Sequence, residues 1–133
     1  MGTTKEKILV ADGEEHIVAL LETYLGREGY RVASASDGDS TMAKFRQESP
    51  DLLVLDMGLP GKGGLEVLRE IRRESEVPVI MFAAYESEDT QRERGFELGV
   101  EEFVTKPFRP RDLVSRVKTV LLRSKIERSK KMN

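Results

Sequence analysis

Five short apolar or β-branched runs alternate with five stretches of helical period, and that alternation leaves few folds open. The runs are Lys7 to Ala11, Tyr30 to Ala35, Leu52 to Leu55, Val77 to Phe82 and Glu102 to Val104. Between and after them fall Ile17, Leu20, Leu21, Tyr24 and Leu25; then Met42 and Phe45; then Leu65, Val67, Leu68 and Ile71; then a weak pair, Phe96 and Leu98; and last Leu113, Val114, Val117, Val120 and Leu121. Strict strand and helix alternation with short connections predicts an α/β fold, a parallel sheet covered by helices on both faces. The second and fifth strands are the more polar, as edge strands are.

A chain of 133 residues, 38% hydrophobic and 35% charged, suits a single domain with one core. Residues 1–124 are expected to form it, with 125–133 as a basic C-terminal tail or truncated linker. There is no Cys, so neither a disulfide nor a thiolate metal site is available. Nothing approaches the roughly 20 apolar residues of a bilayer span, and Met1 to Lys7 lacks a signal-peptide core. A cytoplasmic protein without membrane contact is the expectation. The net charge of −2 is uneven: ten Lys or Arg stand against Asp112 and Glu127 from Lys106 onward, giving +8 there and −10 before it. Without interleaved aromatics or a base-reading motif, that basic segment reads as a solvated helix face and loose tail, and no nucleic-acid contact is expected of the domain.

In sheets of this class ligands sit where strand carboxyl ends meet the following loops. Asp12 lies there after the first strand, Asp56 after the third and Lys106 after the fifth, so two carboxylates and one ammonium converge on one rim. That set suits phosphoryl transfer. Asp56 serves as the nucleophile, Mg²⁺ held by carboxylates and a backbone oxygen neutralises developing charge, and the compact Lys106 cation pairs with phosphoryl oxygens. Plainer roles stand beside these. Asp12 with Glu15 reads as D-x-x-E, an acidic variant of a helix capping box, and the two roles can coexist. His16 is expected at the surface, and Gly61, Gly63 and Gly64 serve the turn into the third helix.

The segments KILVADGEE, PDLLVLDMGLPGKGGLEVLREIR, VPVIMFAAYESED and LGVEEFVTKPFRPRDLVSRVKTVL, found in that order, resemble the receiver domains of two-component response regulators, CheY-like proteins. The resemblance runs from Lys5 to about Arg123. It implies a doubly wound, flavodoxin-like fold with strand order 2-1-3-4-5. It also implies Asp56 as phosphoacceptor, Asp12 as one of an acidic pair, Lys106 as the phosphate-pairing lysine, the Gly58 carbonyl facing Mg²⁺ and a cis Lys106-Pro107 bond. The function that follows is not that of an enzyme. A sensor histidine kinase or phosphotransfer protein donates a phosphoryl group to Asp56, and the association surface changes.

Two positions depart from the family. Gly13 stands where the second acid normally ligates the metal. Asp12, Asp56 and Lys106 alone leave the pocket at −1 instead of −2, which weakens Mg²⁺ unless water or Glu14 fills in; Glu14 is expected in the first helical turn, pointing elsewhere. Ala83 stands where the family carries Thr or Ser, which removes a hydroxyl from the phosphoryl group and from the relay to the aromatic switch, here Phe103. Both departures fit the alternative of a phosphorylation-independent pseudo-receiver acting as a protein-protein interaction module. An aspartyl-phosphate hydrolase would need an Asp at position 58, which is Gly, and a flavodoxin a hydroxyl-rich turn where this chain has D-G-E-E. The last third is especially similar to the OmpR/PhoB class, which dimerises through the fourth helix, fifth strand and fifth helix. Arg92 with Asp112, and Glu102 with Arg116, are the candidates for intersubunit ion pairs.

Overall fold

The computed structural model describes residues 6–84 and 89–132; the Tyr85 to Glu88 part of the third matched segment and the last residue of the expected tail lie outside it. In chain order the elements are β1 (Lys7–Ala11), α1 (Glu15–Arg27), β2 (Arg31–Ala35), α2 (Gly38–Glu48), β3 (Leu52–Asp56), α3 (Gly64–Arg72), β4 (Val79–Ala84), α4 (Asp89–Glu97), β5 (Glu102–Lys106) and α5 (Pro110–Met132). All four strand pairings are parallel, in the order β2-β1-β3-β4-β5. This is the flavodoxin-like, doubly wound sheet that the sequence predicts, with the polar strands at its edges.

The unbroken apolar runs follow from burial on both faces. Successive residues of a strand point to opposite faces, so Ile8, Val10, Leu52, Val54, Ile80 and Phe82 join Leu21, Leu25, Leu113 and Val117 beneath α1 and α5. Leu9, Ala11, Leu53, Leu55, Val79 and Met81 pack on Met42, Phe45, Val67, Leu68 and Ile71 beneath α2 and α3. Each fully buried Leu or Ile stabilises the fold by about 1.5–3 kcal/mol relative to exposure. β3 has all four of its apolar residues buried, and Asp56 at its end is the first residue to reach solvent. The central strand, buried along its apolar length, therefore holds the carboxylate.

α4 is the exception. Its only buried residue is Gly95, and Phe96 is exposed. Gly95 is where the helix meets the sheet: a Cβ there would overlap the ring tip of Phe103. Gly64 has a related task, since a side chain would run into the Asp56 carbonyl. The absence of a Cβ lets α3 start directly behind the end of β3. α5 passes Ser124 without a break and continues to Met132, so the segment expected as a loose tail is the last part of a helix.

Helix starts differ in part from expectation. α1 begins at Glu15 behind an extended Glu14, with no side-chain capping bond. The Asp12/Glu15 capping box is not formed; Asp12 Oδ1 instead accepts from the Glu14 backbone N–H at 2.9 Å, a local Asx turn. The reciprocal box occurs on α2, between Asp37 and Ser40.

Candidate functional site

Three loops meet at the carboxyl ends of β1, β3 and β5. Asp12 is 1% exposed, placed by its N–H bond to the Ala35 carbonyl at 3.1 Å. Asp56 keeps 15% of its side chain accessible, and its Oδ1 accepts from the Gly58 N–H at 3.2 Å. Lys106 follows the buried Val104 on β5 and precedes a cis peptide bond to Pro107. Its ammonium donates to Asp12 Oδ2 at 2.7 Å and to Glu14 Oε2 at 2.8 Å, and lies 3.6 Å from Asp56 Oδ2. It also sits 5.3 Å from the centre of the Phe82 ring, which stacks on Phe108.

Asp12, Asp56 and Lys106 thus converge as the sequence predicts. Glu14 corrects an expectation: it turns toward Lys106 because its backbone is extended (φ −93°, ψ 109°) and stays outside the helix. The signal was present in D-G-E-E, but assigning Glu14 to the first helical turn aims its side chain the wrong way.

Electrostatics follow from this geometry. Burial pushes the Asp56 carboxyl above its ordinary range, the Asp12 charge adds to that, and Lys106 opposes it. Burial works against the Lys106 ammonium, but its bonds to Asp12 and Glu14 and the charge of Asp56 outweigh it, so its pKa rises. The hydrogen bond from Lys106 and its charge hold Glu14 below the usual carboxylate range. Burial thus disfavours the Asp56 anion even though 15% of its side chain stays accessible.

The donor set fits a hard cation that keeps several waters. Asp12 and Asp56 both bring a carboxylate oxygen to the Lys106 ammonium, at 2.7 and 3.6 Å, and Gly58 belongs to the loop whose N–H donates to Asp56. No group of three or more acidic, His or Cys side chains is arranged for a metal among the described residues. Mg²⁺ tolerates such a sparse set because it gives up its hydration reluctantly.

The residues called departures are where the sequence puts them. Ala83 is fully buried and carries no hydroxyl; its register partner is Thr105, whose Oγ1 meets Arg92 Nη2 at 3.5 Å. Gly13 is walled by Pro60, whose Cδ would stand 2.9 Å from an added Cβ. Phe103 packs inward against α4, with Phe96 edge-on at 5.0 Å and Arg92 5.9 Å from its ring centre. Arg116 pairs with Glu102 at 2.5 Å inside the chain, and Asp112 lies in the first turn of α5.

The family model for the response regulator receiver domain matches residues 8–118. The chain belongs to this family. The receiver is 43% identical over 92% of its length to the transcriptional regulatory protein ResD of Bacillus subtilis, and 45% identical over 91% to that organism's alkaline phosphatase synthesis transcriptional regulatory protein PhoP. It spans about half the length of these curated relatives, 50% of each. Among solved structures, NtrX from Brucella abortus superposes with a TM-score of 0.86 at 32% identity, over 93% of this chain and 29% of that one. The BeF3-activated receiver domain of RstA from Klebsiella pneumoniae gives 0.79 at 28% identity, over 86% and 97%. The receiver is thus a signalling domain of two-component systems, related to the OmpR/PhoB class, and not a catalytic enzyme. No helix of the described residues is long and apolar enough to cross a membrane.

Sequence reasoning missed a second partly buried cation, Arg72, at the opposite end of the sheet. Its guanidinium donates to the carbonyls of Leu98 (2.6 Å), Val77 (2.8 Å), Ser75 (3.2 Å) and Gly99 (3.3 Å), beside a groove of about 720 Å³. In sequence it is one of several arginines on a helix, and nothing marks it.

Proposed function

We propose that the receiver takes a phosphoryl group on Asp56 from a phosphohistidine of a sensor kinase or phosphotransfer protein. A carboxylate oxygen of Asp56 forms the new O–P bond as the P–N bond breaks. The electron pair stays on the donor's imidazole nitrogen, which ends protonated. Asp12, Asp56 and the Gly58 carbonyl would hold Mg²⁺, which when bound offsets charge on the transferring group. Lys106, 3.6 Å from Asp56, stands ready to pair with the phosphoryl oxygens.

The observation that carries this reading is the placement of Asp56. A partly buried carboxylate at the end of the central strand lies 3.6 Å from an ammonium and keeps 15% of its side chain accessible. Phosphorylation then draws Lys106 toward Asp56 and changes the α4, β5 and α5 face, where Arg92, Glu102, Asp112 and Arg116 lie. That face is proposed as the association surface for a second copy, in a cytoplasmic signalling protein whose independent domain is 1–124. With Ala83 in place of a hydroxyl residue, transmission runs through the Lys106 end of β5 and the Phe103 ring against Gly95.

Ala83 and Gly13 also support a second reading, an interaction module that works without phosphate. Intact-protein mass after incubation with acetyl phosphate and Mg²⁺ separates the two. A gain of one phosphoryl group by the wild type, absent from Asp56→Asn and blocked by a chelator, supports the first. No gain with either acetyl phosphate or a phosphorylated kinase overturns it in favour of the second.

A further inference from the structure

We infer that Glu14 makes good the acid absent at position 13, by taking up the ammonium of Lys106 so that Asp12 and Asp56 keep their charge for a divalent cation. This rests on the Mg²⁺-dependent reading above. The charge balance is direct. Asp12, Asp56 and Lys106 sum to −1; with Glu14 on the same ammonium the pocket returns to −2.

The geometry makes Glu14 the available substitute. Asp12 Oδ1 holds the Glu14 N–H at 2.9 Å, which keeps residue 14 out of α1 and turns its side chain back over the rim. Its Oε2 reaches Lys106 at 2.8 Å, nearly as close as Asp12 does and nearer than Asp56. Position 13 itself is crowded, because an added Cβ would stand 2.9 and 3.0 Å from the Pro60 ring and 3.4 Å from the Ser36 carbonyl oxygen.

Glu14 is a positioning residue here. It does not form a three-carboxylate metal cluster with Asp12 and Asp56; it acts through Lys106. Its side chain is half exposed, so solvent screens the effect, which is modest and depends on salt.

The test is calorimetric titration of the full chain with Mg²⁺, comparing wild type, Glu14→Gln and Glu15→Gln. Glu15 is the adjacent exposed acid on α1, so its variant reports the generic loss of one surface charge. The expected result is about fivefold weaker Mg²⁺ binding for Glu14→Gln at low salt, a difference that shrinks as ionic strength rises. Glu15→Gln should stay within about twofold of wild type, and all three should melt alike. Equal affinities for Glu14→Gln and wild type overturn the inference, and so does an equal loss in both variants. A wild type that binds no Mg²⁺ at all overturns the Mg²⁺-dependent reading itself, and the role of Glu14 with it.

Discussion

Two partly buried cations, Lys106 and Arg72, lie at opposite ends of the sheet and are held in opposite ways. At the carboxyl ends of the strands, Lys106 is surrounded by the carboxylates of Asp12, Glu14 and Asp56. At the amino ends, Arg72 is surrounded by four backbone carbonyls from the loops before β4 and β5. Carboxylates titrate, bind metal and give way to a competing anion. Backbone carbonyls do none of these without moving the chain. Arg72 therefore pins two loops permanently, whereas Lys106 has partners it can exchange.

The largest expected effect on stability is at the pinned end. Arg72→Leu leaves four carbonyls without a charged donor, and should lower the unfolding free energy in urea by about 2–4 kcal/mol. Mg²⁺ should not restore it. Burial presses the Arg72 guanidinium below its ordinary range, with Glu101 and Glu76 opposing, so the leucine is spared that desolvation and the upper figure is a limit.

Lys106→Met should be milder and repairable, about 1–2 kcal/mol at neutral pH, because it leaves Asp12 and Asp56 facing each other. Added Mg²⁺ or a lower pH should recover most of that loss in the same urea titration. A loss as stubborn as that of Arg72→Leu would erase the distinction between the two ends.

Asp56→Asn goes the other way. The folded protein holds the Asp56 proton more tightly than the unfolded chain, through burial first and Asp12 second. That contribution favours folding; it is fully present below the ordinary aspartate pKa of about 3.9 and lost as pH rises through the raised value. The asparagine should therefore be more stable than the metal-free wild type at neutral pH, by on the order of 1 kcal/mol, with the gap closing in acid. Thermal melts across that pH window check the sign.

The smallest effect belongs to a third kind of cation. Arg116 pairs with Glu102 where both meet water. Arg116→Ala should change the stability of one chain by less than about 0.5 kcal/mol. A larger change at high protein concentration alone, followed by sedimentation, would locate that residue in an interface between copies.

Much of this was legible because it rests on periodicity. The doubled core reads directly from Leu52 to Leu55, where four consecutive apolar residues have no polar face to spare. The convergence of Asp12, Asp56 and Lys106 follows from three strand ends in a parallel sheet. What escaped depends on backbone direction. Whether Glu14 starts the helix or precedes it turns on one extended residue, and the side chain swings from solvent to Lys106 accordingly. Arg72 escaped because its partners are carbonyls, which no residue letter encodes. The tight seat of Phe103 on Gly95 escaped for a related reason: a glycine within a weak helical period looks like a flaw until the ring that needs the space is placed.

The central claim is that one end exchanges partners and the other does not. Amide and side-chain nitrogen spectra of the 15N-labelled receiver, recorded before and after Mg²⁺ with beryllofluoride as a phosphoryl mimic, test it most directly. The account predicts shifts at Asp12 to Glu14, Asp56 to Gly58 and Thr105 to Lys106, with the Arg72 Nε and the amides of Leu98 and Gly99 unmoved. Unchanged spectra at the carboxylate end, or shifts of equal size at Arg72, would contradict it.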